Sequence, residues 1–286
     1  RARRIAENIG AECRIIPLTD EYLAMLKSPR HGYGSNINPC IDCKILMLRK
    51  AGELMKGLGA KFLITGEVLG QRPMSQHRQA LGIIEKESGM KGYILRPLSA
   101  HHLEPTVPER EGWIPREKLL NFSGRTRKPQ FELAERLGIK DIPCVAGGCL
   151  LTDPNYAKRL DDYWKHARDF TVNDVELLKT GRYLRLDEKA VLIVGRDEKE
   201  NGAIERLAAR GDHLFTPAEE IAGPTALGRG QFDEALVELS ARIVCRYCDL
   251  EGKVAADIFC STFPSIEKKL MRARPIPETE LARFRI

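Results

Sequence analysis

The chain has 286 residues, 43% hydrophobic and 30% charged, enough for one large core or two modest ones. No apolar run approaches the ~20 residues that a bilayer-spanning helix needs, and Arg1-Ala2-Arg3-Arg4 has no apolar segment behind it, so it does not read as a secretory signal. A net charge of +6 admits an RNA partner without requiring one, and eight cysteines in the cytoplasmic compartment this implies point to metal or thiol chemistry rather than disulfides.

In chain order, residues 1–10 read as a helix tail ended by Gly10, residues 13–18 as a short strand and 20–27 as a helix. Residues 28–36 are rich in breakers and read as loop. Met47, Leu48, Ala51, Leu54, Met55 and Leu58 recur at helical spacing and predict a helix after Cys40, closed by Gly59. Residues 62–67 predict a buried strand, 76–88 a helix, and 92–98 a second strand. Helix and strand alternating through short links predict an α/β fold with a doubly wound parallel sheet. Short helices are expected at 115–122 and 129–137, a glycine-bearing loop at 143–149, and a polar helix at 155–167.

The grammar changes near 168–172, so two domains are expected, 1–168 and 169–286. In the second, residues 181–187 and 190–195 predict a hairpin joined by Asp187-Glu188-Lys189. Helices follow at 198–210 and 233–245, around a Gly/Pro-rich loop at 223–230. This is a smaller α+β domain.

Several residues could carry chemistry. Cys40 and Cys43 form a CxxC pair at a helix start, where the helix N-terminus favours thiolate. Cys149 follows a glycine pair, and the three thiols together would suit an iron–sulfur cluster better than a closed structural zinc site, with Cys144 a fourth ligand or a bystander. Gly66, Glu67, Gln71 and Arg72 follow a strand into a turn, the edge where parallel sheets bind ligands. Arg125, Arg127 and Lys128 offer phosphate-sized positive charge, as do Lys268, Lys269, Arg272 and Arg274. Arg196 sits at a strand-to-helix turn suited to an RNA phosphate. The adjacent His101 and His102 are a poor metal pair, and Cys245, Cys248 and Cys260 read as packing before zinc.

NPCIDCK at 38–44, ITGEVLGQRPMSQ at 64–76, ILRPLSA at 94–100, GRTRKPQ at 124–130 and AGGCLLTDP at 146–154 together resemble the tRNA thiouridine synthases built on the PP-loop ATP-pyrophosphatase fold. YLRLDEKAVLIVGRDEKENGAIERLA, within 172–245, is more loosely similar to the NFACT-type RNA-binding domain. The first resemblance implies a tRNA sulfurtransferase: ATP with magnesium adenylates a uridine carbonyl, and sulfur from sulfide or a persulfide carrier replaces its oxygen. Gly66, Glu67, Gln71 and Arg72 would then serve the nucleotide, and Cys40, Cys43 and Cys149 would hold a cluster or carry persulfide and disulfide chemistry. Arg125, Arg127, Lys128 and Arg196 would meet tRNA. The family's serine-glycine-glycine-x-aspartate-serine loop is absent, so the implied domain lacks its N-terminal part and these residues alone are not expected to turn over ATP. The alternative is a non-catalytic RNA-binding protein on a decayed thiolase scaffold. A small-molecule ligase fits less well with an RNA-binding second domain.

Overall fold

The computed structural model describes residues 2–139, 148–167 and 170–286. The chain divides into two compact units, 1–149 and 150–286. Residues 150–167, expected to close the first domain, belong to the second unit. The reason is local: Tyr183, Arg185 and Asp174, all later in the chain, bond to side chains of the helix at 154–166.

Unit 1 runs α1 (Ala2–Asn8), α2 (Thr19–Lys27), α3 (Cys40–Gly57), β1 (Leu63–Ile64), α4 (Arg78–Glu87), β2 (Ile94–Leu95), α5 (Val107–Arg110) and α6 (Lys128–Arg136). The helical spacing after Cys40 becomes α3, whose inward stripe packs Ile45 and Leu48 against Ile84 of α4 and against Met90 and Ile94. Buried Asp42 fixes the preceding loop, accepting the backbone N–H groups of Arg30 at 3.1 Å and His31 at 2.9 Å. His77 caps α4 by accepting the N–H of Ala80.

The doubly wound sheet is not found. Among the described residues the only parallel strand pair is β1–β2, with Leu63 beside Ile94 and Ile64 beside Leu95. The expected strand at 13–18 is irregular, and its Ile15 is 67% exposed: an apolar run without a pairing partner does not become a strand. The helix expected at 115–122 contracts to a single 3-10 turn, Arg116–Lys118. No helix among the described residues is long and apolar enough to cross a membrane.

Unit 2 runs α7 (Pro154–His166), α8 (Val172–Leu177), β3 (Arg182–Arg185), β4 (Ala190–Val194), α9 (Glu198–Arg206), β5 (His213–Pro217), β6 (Ala226–Gly230), α10 (Glu234–Arg246), β7 (Ala256–Thr262), β8 (Lys269–Ala273) and α11 (Glu278–Leu281). The strands form one antiparallel sheet in the order β3-β4-β6-β5-β7-β8. β4 is buried along its whole length, as a central strand covered on both faces should be. Helix α10 packs on β5, β7 and β8, and α9 on β6. The core joins Leu192 and Val194 of β4 to Phe215, Ala226, Val244 and Ile258. Carboxylates at Asp153, Asp197 and Asp233 cap α7, α9 and α10.

Candidate nucleic-acid interface

In unit 1 the expected site residues separate into two groups. Cys40 and Cys43 do open α3, as the spacing predicts. The Cys40 Sγ donates to the buried Ser75 Oγ at 3.0 Å. Burial pushes the Cys43 thiol above its ordinary value, and the nearness of Cys40 and Cys149 adds to this, so burial outweighs the helix N-terminus. Cys149 is therefore in electrostatic range of Cys43, yet no group of three or more His, Cys, Asp or Glu side chains among the described residues is placed to hold a metal ion. Cys144 lies outside the described residues.

Glu67 does not face a crevice. It is 4% exposed and accepts from Arg96 Nε at 3.0 Å, while Lys44 Nζ lies 3.2 Å from its other oxygen without the alignment of a hydrogen bond. Arg96 also pairs with Glu85. Glu67 is thus the hub of a buried ion-pair network, and its partners Lys44 and Arg96 were not legible as such. Gly66 is exposed, and so is Arg72. Gln71 bonds Gln130 at the start of α6 at 2.7 Å, and Gly124 N–H donates to Leu69 O at 2.8 Å. The structure thereby sets the 69–71 turn beside the 123–130 loop. In that loop Arg125 is exposed, Arg127 half-buried, and Lys128, 83% exposed, lies 3.9 Å from Glu132. His101 and His102 bond the carbonyls of Leu119 and Asn121, which accounts for the pair without a metal.

Unit 2 holds the stronger constellation. A cleft of about 370 Å³ lies between α7, β3, the turn after β4 and the segment following α10. Arg159, Arg182, Arg196 and Arg285 all line it, with Tyr247 and Asn155. Arg196, singled out in the sequence, pairs with Glu200 at 2.7 Å, and Arg285 with Glu278 at 2.6 Å. Arg182 donates to Gly195 O at 2.8 Å and lays its guanidinium 4.5 Å from the Tyr247 ring centre, a cation–π distance. Among the described residues Arg159 bonds carbonyls alone, Gly181 O at 3.2 Å and Leu178 O at 3.4 Å. Neither Arg159 nor Arg182 has a carboxylate in ion-pair reach among the described residues.

The electrostatics follow. Burial, and after it the charge of Arg196, hold the Arg159 guanidinium below its ordinary pKa. An arginine stays charged at any working pH, so Arg159 is a fixed cation in a partly desolvated place, repelled by its neighbour. An anion entering the cleft relieves both effects. The N-terminus of α9 is not itself the anion site, because the Asp197 carboxylate already accepts from Glu200 N–H there at 2.9 Å. Arg196 thus lies in the guanidinium cluster rather than at a free helix end. Arg159, Arg182 and Arg285 went unmarked in the sequence; the only signal was arginine and tyrosine dispersed over distant segments.

The other basic group maps to β8, the sheet edge. Lys269 and Arg272 are exposed there, Arg272 lies 3.1 Å from Asp257, and Lys268 Nζ lies 5.5 Å from the Phe259 ring. Charge on an edge strand discourages edge-to-edge pairing and needs no ligand. Cys245 and Cys248 are packing residues. Cys245 is fully buried with its thiol on Ala273 O, and Cys248 bonds Val244 O at 3.4 Å. Burial pushes the Cys248 thiol up to about 12. Iodoacetamide at pH 8 should therefore alkylate Cys248 on the order of 30-fold more slowly than an unperturbed cysteine, after allowing for the greater nucleophilicity of a more basic thiolate. Site-resolved mass spectrometry reads this, and labelling at the rate of a free thiol would show that the burial is not maintained in solution.

Comparison with known proteins corrects the first resemblance. No curated protein matches the chain. Among solved structures, the C-terminal part of the fibronectin/fibrinogen-binding protein from Streptococcus suis is 13% identical, over 86% of this chain and 99% of that one, with a TM-score of 0.33, too low to argue from. Nothing found supports a PP-loop enzyme or a thiouridine synthase, and the sulfurtransferase expectation is overturned in favour of RNA binding. The family match covers residues 181–285, which carry β3 to β8 and the Arg182, Arg196 and Arg285 corners of the cleft, and that family is described as the NFACT protein RNA binding domain.

Proposed function

We propose that this chain is a non-catalytic RNA-binding protein whose 150–286 unit grips RNA phosphates in the arginine cleft, with tRNA as the partner. The observation that carries the reading is Arg159: a half-buried guanidinium, repelled by Arg196, bonded to carbonyls and without a carboxylate in ion-pair reach among the described residues. Phosphate is the matching ligand, because guanidinium forks bind its oxygens in pairs. The Arg182–Tyr247 stack adds a flat surface next to those charges, suited to an unpaired base. The family match to an RNA-binding domain over 181–285 supports the same class of partner.

The test is tRNA affinity by fluorescence anisotropy between 50 and 300 mM salt (about a sixfold range), with a single-stranded oligonucleotide alongside. Neutralising two to four phosphates should give a slope of about −1.4 to −3.6 in log affinity against log salt. Binding that ignores salt, or no binding to either RNA at 50 mM (roughly one Debye length of 14 Å), would remove the proposal. Binding of the oligonucleotide but not tRNA would keep the RNA reading and discard tRNA.

A further inference from the structure

Unit 1 contains a second cleft, about 540 Å³, between α4 and the segment from Lys91 to Arg110. Its floor includes Arg96, only 2% exposed. Two corners of that guanidinium are engaged, Nε with Glu67 at 3.0 Å and Nη1 with Glu85. The third, Nη2, is buried and has no hydrogen-bond partner. Buried donors are nearly always paired, so an orphaned one on a residue that lines a cavity points to a missing acceptor. The rim supplies Arg78, Lys91 and Arg110, all exposed. Arg78 and Arg110 donate to the carbonyls of His102 and Pro105, and none of the three has a carboxylate in ion-pair reach among the described residues. Of the acidic groups in the lining, Glu85 is taken by Arg96 and Glu109 by Arg116, leaving Glu104 at the rim.

The lining also includes an apolar part, with Leu81 of α4 and Ile94 and Leu95 of β2. Gly82 also lines the cleft, and a Cβ built there would meet nothing within 4 Å. The helix therefore leaves open space where most residues would fill it.

We propose that this cleft binds a phosphate monoester of a small organic molecule, with the phosphate toward Arg96 and the rim cations and the organic body along the Leu81 wall. A dianion with three terminal oxygens matches several unneutralised cations better than a carboxylate does. The volume lies within the ~300–1,000 Å³ of small-molecule sites and exceeds what inorganic phosphate fills. The site is independent of the arginine cleft in unit 2.

Calorimetric titration of the full chain with phenyl phosphate and glucose 6-phosphate tests it, with benzoate, phenol and glucose as controls. At least one phosphate ester should bind at least tenfold more tightly than benzoate, and phenol and glucose should not bind. Gly82→Leu, which fills the cleft from a helical position, should abolish that binding while leaving the melting temperature equal or higher, since leucine suits a helix interior better than glycine. Lys91→Ala with Arg110→Ala should weaken binding at least tenfold, and Arg159→Ala with Arg182→Ala should leave it unchanged, which separates this site from the RNA cleft. The proposal fails if neither ester binds, if benzoate binds as well, or if the Gly82→Leu protein binds like the unmodified chain.

Discussion

Replacing Arg229 with methionine should destabilise unit 2 by about 3–5 kcal/mol, the largest stability effect expected of any single charge change in it. Arg229 lies on β6 with its side chain 11% exposed. It bonds Asp212 at 2.6 Å, Asp174 at 2.7 Å, Asn173 at 2.8 Å and the carbonyl of Leu207 at 3.0 Å. One guanidinium thus joins α8, the end of α9 and the start of β5. Both carboxylates are buried, so methionine would leave two negative charges facing each other out of water. For a unit of this size the melting temperature should fall by on the order of 10 °C or more. Arg229→Lys should recover only part of the loss, because a single ammonium cannot reproduce the planar fork that meets both aspartates.

The pH dependence gives this prediction a second readout. Burial disfavours the Asp174 anion, but the bonds from Thr171 and Tyr163 and the charge of Arg229 outweigh it and hold its carboxyl below the usual value. A depressed folded-state pKa contributes stability that is present above the unfolded value, about 3.9, and lost as pH falls through the folded one. The unmodified protein should therefore hold its stability down to about pH 4 and lose it below. In the methionine variant the two aspartates repel, protonation relieves them, and the deficit should shrink between pH 7 and pH 5. Urea unfolding at these two pH values measures it. A deficit that is small, or that does not change with pH, would mean that Arg229 is not what holds the two carboxylates.

The contrast between strands that could be read and strands that could not shows where sequence information ran out. β4 is an uninterrupted apolar run, and its partner β3 follows from the three-residue link between them, so the hairpin was legible. β6 reads Ala-Leu-Gly-Arg-Gly and looked like loop, yet it pairs with β4 on one side and β5 on the other. Its glycines answer to packing rather than to turning. A Cβ at Gly228 would lie 2.5 Å from the Phe232 ring, and Gly230, at φ +114°, would drive one to 1.9 Å from Lys189 O. β7 does alternate, with Ala256, Ile258 and Cys260 turned inward, but it is only half of a pair whose other half, β8, is largely exposed. In unit 1 the alternation of helix and strand was read as a repeating pattern, and it produced one two-residue parallel pair. The site was legible in the same uneven way. Arg196 stands out at a strand-to-helix turn, whereas Arg159 is one charge on a polar helix, and it becomes special only when β3 brings Gly181 and Arg182 beside it.

That convergence sets the largest functional effect. The double substitution Arg159→Ala with Arg182→Ala should weaken RNA binding on the order of 100-fold at 100 mM salt (a Debye length of about 10 Å), two charge-assisted contacts at roughly 1.5 kcal/mol or more each. It should also reduce the salt slope by about 1.4–1.8, since each lost phosphate contact removes roughly 0.7–0.9. Arg159→Lys should keep most of the slope while losing affinity, because the charge remains and the fork does not. Lys269→Ala with Arg272→Ala, on the β8 edge, removes the same formal charge from the same unit and should change affinity only a few-fold, as expected of the general field alone. Equal losses from the two pairs would mean that RNA reads the net charge of unit 2 rather than a built site. An unchanged slope in the Arg159 and Arg182 variant, with folding intact by circular dichroism, would place the RNA elsewhere on the chain.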